Sequence, residues 1–142
     1  MILEEIEARV LEDARRRDSE ERATVERAVR WRAAVAEAKA RAVEDQLVDV
    51  LREEAERWRE AAALGEYCTA LERRLGELDG AIDESDLDSA RRWLEWAYGY
   101  ARAIDPLLRL PGMPSTREPT PEELGPHLKG WSPYKPERRN GW

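Results

Sequence analysis

The chain has no Phe, and only one Cys (Cys68), one His (His127), one Gln (Gln46) and one Asn (Asn140) in 142 residues. A lone cysteine excludes an internal disulfide and fits a reducing cytoplasm. Glycine-rich phosphate loops, GxSxG, HExxH and paired CxxC motifs are all missing. The expectation is therefore a chain that is not an enzyme and holds no cofactor or metal. No apolar run approaches the roughly 18 residues of a membrane span, and the first residues are acidic (Glu4, Glu5, Glu7), unlike a signal peptide. That reading gives a cytoplasmic protein with no membrane partner. Scarce Gln, Asn and Cys, with 21 Arg against 3 Lys, fit a thermophile or a GC-rich genome equally.

Charge of one sign does not dominate locally, although the net charge is −7. Residues 1–63 carry 13 basic and 17 acidic side chains, residues 64–105 carry 5 and 10, and residues 106–142 carry 6 and 4. The net negative charge argues against nonspecific nucleic-acid binding. Arg9, Arg15–Arg17, Arg22, Arg27, Arg30 and Arg32 form a basic strip, which keeps a nucleic-acid-associated accessory factor as the alternative function. Acidic residues are interleaved throughout that strip, however, and alternating signs describe a solvated, ion-paired helix.

Glycine and proline are also absent from the first 64 residues, which are mostly Glu, Arg, Ala, Leu and Val. Such a composition predicts one long helix over 2–64, about 95 Å at about 1.5 Å per residue. Its apolar stripe thins between Val10 and Val25, and Arg15–Arg17 followed by Ser19 and Glu20 resemble a helix end and a new start. A kink near Asp18 and an unbroken helix both remain open on this reading. Beyond it, Val25, Ala36, Leu47 and Trp58 recur every eleven residues, as do Val29, Ala40, Leu51 and Ala62. An eleven-residue repeat is 3.67 residues per turn, so the helix should stay nearly straight and pack by ordinary bundle contacts. We take Val25, Val29, Ala36, Ala40, Leu47, Leu51 and Trp58 as an interface stripe.

Gly65 either ends the long helix or merely weakens it; taken as an end, it leaves a second helix over 66–79 that stops at Asp79-Gly80. A third, over 85–105, starts with Asp86 and Asp88 in its first turn and ends before Pro106. The stretch from Asp86 to Leu110 holds the densest apolar and aromatic content and is expected to be the hub of the fold. Leu87, Leu94, Ala97, Ala101 and Ile104 lie on one helix face, and Trp93 and Trp96 widen that face, so all seven are expected in the core. Arg91, Arg92, Glu95 and Arg102 should reach water.

All eight prolines lie in 106–142. Thr120-Pro121-Glu122-Glu123 is a capping-box helix start, cut short by Gly125-Pro126. Trp131, Tyr134 and Trp142 suggest anchors that order this proline-rich arm against the body, since disordered tails are poor in aromatics. Glu123 and His127 stand four apart, but Pro126 interrupts the helix and two ligands do not make a metal site. His127 is expected instead to pack beside Trp131. The cluster Asp79, Asp83, Glu84, Asp86, Asp88 lacks the ligand spacing and central glycine of a calcium loop. Cys68 reads as a buried small apolar residue.

The segment Trp93-Leu-Glu-Trp96-Ala97, followed by Ala101 and Asp105-Pro106, resembles a W-x-x-W-A-x-x-x-A-x-x-x-D-P pattern in the C-terminal part of uncharacterised bacterial proteins. The tail Gly130-Trp131-Ser132-Pro133-Tyr134 is similar to that group too, so the likeness spans residues 90–134 at most. It implies a bacterial origin, associated with mobile elements or defence, and no activity.

Together these readings predict an all-α protein: a long helix (with the kink near residue 18 left open), two shorter helices and an ordered proline-rich C-terminal arm, divided into a helical domain over 1–105 and the arm over 106–142. The helices of 66–79 and 85–105 are about 21 and 31 Å long, too short to cover the long one. An oligomeric bundle follows, most simply a homodimer, with another protein as the alternative partner.

Overall fold

The structure, a computed structural model, describes residues 2–139. It is all-helical apart from turns and extended segments, and among the described residues the only β-type pairing is an isolated antiparallel bridge between Trp131 and Arg138. Helix α1 runs Ile2–Leu78, α2 runs Glu84–Ile104, and the one-turn α3 runs Pro121–Leu124. Short 3-10 turns follow α2 at Pro106–Leu108 and α3 at Gly125–His127.

The first helix is longer than expected and unbroken. The helix runs on through the thinned apolar stripe near Asp18, and the charges there are satisfied along it: Arg16 pairs with Asp13 at 3.3 Å and Arg22 with Asp18 at 2.9 Å. Such i,i+3 and i,i+4 pairs support a helix instead of ending it. Gly65 does not separate two helices either. Glycine within a helix costs about 1 kcal/mol relative to alanine, and Ala61 and Cys68 on either side are buried, which offsets it. Asp79-Gly80 is the true end of α1: Gly80 adopts φ +80, the left-handed geometry that glycine accepts without strain, and the Ala81 amide donates to the Leu78 carbonyl at 2.9 Å.

The chain divides into two compact units, Met1–Gln46 with Thr116–Trp142, and Leu47–Ser115. The boundary expected at residue 105 therefore does not coincide with either division, because residues 106–115 belong with α2 and the later residues with the first part of α1.

In the unit formed by Leu47–Ser115, α2 lies antiparallel to the α1 residues it pairs with. Tyr98 Oη donates to Glu72 Oε2 at 2.9 Å, and Arg91 sits 3.9 Å from Asp79. The buried side chains of this unit include Ala61, Cys68 and Leu75 from α1 and Leu87 and Ala101 from α2. Leu94, Ala97 and Ile104 are half-buried on the same face, while Arg91, Arg92, Glu95 and Arg102 reach water. Helix α2 ends as its sequence requires: Asp105, forced out of helical geometry before Pro106, has ψ 111 and accepts from the Leu107 amide at 2.9 Å.

Trp93 and Trp96 are not in the core. They are 55% and 60% exposed. At about 100° of rotation per residue, Trp93 is turned about 100° from Leu94, and α2 has one neighbouring helix and so buries one stripe. The hub expectation fails for the same reason, because the C-terminal segment that was to cover α2 packs in the other unit.

In the unit formed by Met1–Gln46 and Thr116–Trp142, the core is Ala38 and Ala42 of α1 under Leu124, Leu128 and Trp131, with Trp31, Ala34 and Val35 packed at its edge. The alanines thin α1 enough for the later segment to approach it. Thr120 begins α3 with the full capping box: its hydroxyl accepts from the Glu123 amide, and the Glu123 carboxylate accepts in return from the Thr120 amide.

Candidate interaction surfaces

Within the first unit, polar contacts from Trp31, Lys39, Asp45 and Gln46 hold the C-terminal segment on α1, with Lys39 pairing with Glu118 at 2.8 Å. Trp31 Nε1 donates to the Ser132 carbonyl at 2.7 Å. His127 Nε2 lies 2.6 Å from Asp45 Oδ2, a carboxylate partner on α1 that the sequence did not reveal. Gln46 accepts from the Arg117 amide at 3.0 Å and donates to the Arg117 carbonyl at 3.2 Å. Arg117 in turn pairs with Glu123. The Arg117 guanidinium, joined by hydrogen bonds from Thr120, pulls the Glu123 carboxyl down from its ordinary 4.5 to about 2.

Of the three expected anchors, Trp131 is buried and its ring carries the Arg138 guanidinium 4.6 Å above its centre. Tyr134 is no anchor: it is 70% exposed. The bridge between Trp131 and Arg138, with Ser132 N donating to the Glu137 carbonyl at 2.7 Å, folds residues 131–138 into a tight loop that carries the Tyr134 ring outward. Trp142 lies outside the described residues.

Seating the segment on the Ala38–Ala42 face leaves the other side of α1 uncovered. Ala36 and Ala40 stand two residues from Ala38, a rotation of about 200°, and both are exposed with Val25 and Val29. Every residue from 2 to 27 is exposed, including Ile2, Leu3, Ile6, Val10 and Leu11. In the second unit, Leu51 and Trp58 of the expected stripe are exposed, and Leu47 is half-buried.

The second unit carries a further apolar feature. Trp93, Trp96 and Tyr100 stack in a ladder along the outer flank of α2, with ring centres 5.4 Å and 5.6 Å apart and ring planes within 11° and 10° of parallel. Spacings of three and four residues put them on one face. The Tyr98 phenol, two residues from both Trp96 and Tyr100, is raised above its ordinary 10.0 by its hydrogen bond to the Glu72 carboxylate. After α2, Leu107, Leu108, Leu110 and Met113 are exposed as well.

No group of three or more His, Cys, Asp or Glu side chains able to hold a metal ion occurs among the described residues. Cys68 is fully buried. No helix among them is long and apolar enough to cross a membrane. No family model matches the chain, and no characterised protein or solved structure shows significant similarity to it.

Proposed function

We propose that this protein is a non-enzymatic interaction module that self-associates through α1. The observation that carries the reading is the state of residues 2–27, which extend α1 by seven turns without a single buried or half-buried residue before Ala28 while bearing Ile2, Leu3, Ile6, Val10, Leu11 and Val25. A helix with an apolar stripe gains most of its stability from packing that stripe, and contiguous apolar surface on a monomer marks an interaction site. A second copy supplies a matching stripe, and two-fold pairing is the commonest arrangement. Val25, Val29, Ala36 and Ala40 offer a partner one such stripe, with the small alanines permitting close approach.

Ion pairs within the arginine-rich first helix support a protein partner over a phosphate backbone, since Arg16, Arg22 and Arg41 each neutralise a carboxylate one turn away. Sedimentation at micromolar concentration tests the proposal. A species heavier than the 16.4 kDa chain is expected, weakening when Val25 and Val29 are both replaced by Asp. A single 16.4 kDa species with a stable fold would overturn it.

A further inference from the structure

In the first unit a cleft of about 550 Å³ lies between α1 and the loop of residues 131–138, and three guanidinium groups line it: Arg27 and Arg30 from α1, and Arg138 from the loop. That size falls within the roughly 300–1,000 Å³ of small-molecule sites. Arg138 is held in place. The bridge to Trp131 folds the loop back, the guanidinium lies 4.6 Å from the centre of the Trp131 ring, and Nη1 donates to the Lys129 carbonyl at 3.2 Å. A guanidinium carries five N–H donors, so most of those on Arg138 stay open to a ligand.

The two arginines of α1 sit together without neutralisation. Arg16, Arg22 and Arg41 each hold a carboxylate one turn away. One turn from Arg27 stand Ala23, Thr24, Arg30 and Trp31, none of them acidic. Arg30 has Glu26 one turn away, but neither Arg27 nor Arg30 has a carboxylate within salt-bridge reach among the described residues. Like charges three or four residues apart destabilise a helix. Here the pair also faces a third guanidinium across the cleft, an arrangement that an anion between the two walls would stabilise.

We infer that this cleft is a binding site for a small phosphomonoester, its phosphate held between Arg27 and Arg30 on one side and Arg138 on the other. Two carboxylates also line the cleft, from Glu26 and Glu137. Lys135 holds Glu137 at 3.3 Å, so three guanidiniums face one uncommitted carboxylate and leave two net positive charges. That is the charge of a phosphate dianion, which carries about −1.5 to −2 at neutral pH. The oxygen count points the same way. One arginine already serves both oxygens of a carboxylate as a bidentate pair, whereas a phosphate offers three oxygens to three guanidiniums. Glu26 is then free to accept from a hydroxyl or amine elsewhere on the ligand. All the lining residues belong to one copy of the chain, so the site is complete whether or not the protein self-associates.

Calorimetric titration of the full chain at fixed ionic strength tests the inference, with phenyl phosphate as the probe and benzoate as the matched carboxylate. Phenyl phosphate should saturate one site per chain and bind at least about tenfold more tightly than benzoate. Arg27→Gln and Arg30→Gln should each weaken it roughly tenfold. Arg16→Gln, which lies outside the cleft, should not. Without ligand, Arg27→Gln should melt no lower than wild type, since it removes a like-charge neighbour, so its loss of binding is not a loss of fold. Phenyl phosphate should raise the melting temperature of wild type and leave that of the Arg27→Gln/Arg30→Gln double variant unchanged. Absence of saturable binding would overturn the inference. So would benzoate binding as tightly as phenyl phosphate, or an equal loss in Arg16→Gln, which would mean diffuse attraction. A single-stranded or duplex oligonucleotide that displaces phenyl phosphate and itself needs Arg27 and Arg30 would overturn it in favour of a nucleic-acid surface.

Discussion

Trp31 Nε1 donates to the backbone carbonyl of Ser132 at 2.7 Å, joining residues 101 apart in the chain. The bond matters because it sits at the edge of the Ala38–Leu128 core and orients the Trp31 ring over it. Trp31→Phe keeps an aromatic ring but removes the donor. It should lower the stability of this unit by about 1 kcal/mol, the net worth of one such hydrogen bond, read as a lower denaturant midpoint with an unchanged slope.

Leu128 should matter more. It is 1% exposed, the largest fully buried side chain among the described residues, and it rests on Ala38 and Ala42. Leu128→Ala should cost about 2–5 kcal/mol, because the alanines beneath it cannot move up to fill the space. Amide exchange should then quicken together along residues 120–131 and the facing turns of α1. A cost near zero would mean that the segment contributes nothing to the unit.

Much of this was legible in the sequence, and what was missed has a physical cause. Thr120-Pro121-Glu122-Glu123 announced its capping box, and Asp105-Pro106 announced the end of α2, because both signals are local. Leu87 and Ala101 were readable as core from the three-and-four spacing. Whether the helix breaks near Asp18 stayed open in the sequence, since charge patterns at a helix end and within a helix look alike until partners are known. The neighbours of Trp93 and Trp96 were not readable: their size argued for burial, but whether a second helix covers that flank is a matter of tertiary arrangement. The seat on Ala38 and Ala42 was not marked, since the stripe read through Ala36 and Ala40 runs along another side of α1. Its occupant, a segment some 90 residues downstream, left no signal in the spacing.

Acid should loosen the C-terminal segment through Glu123. Its folded pKa of about 2 lies below the ordinary 4.5, so its contribution is fully present above about pH 4.5 and is lost as pH falls toward 2. The carboxylate side chain is 27% exposed, which leaves it screened and the effect moderate. Glu123→Gln removes the charge that Arg117 holds. The variant should melt lower than wild type at pH 6, and the gap should close between pH 4.5 and 2. A gap that is constant with pH would assign the effect to the capping box alone.

The sharpest check on which face of α2 is inside compares Leu87 with Trp96. Leu87 is 3% exposed against α1, while Trp96 is 60% exposed and touches mainly Trp93 and Tyr100. Leu87→Ala should cost about 2–5 kcal/mol in unfolding free energy. Trp96→Ala, at a dilution where the chain is a monomer, removes two ring stacks from an exposed flank and should cost no more than about 1–2 kcal/mol. At concentrations where copies associate, Val25→Asp with Val29→Asp should reduce the dimer fraction in sedimentation, whereas Leu87→Ala should act on melting temperature at every concentration. The dependence on concentration separates an interface residue from a core residue, because only the former draws its stabilisation from mass action. Equal losses for both variants at high dilution would place Trp96 inside the fold after all.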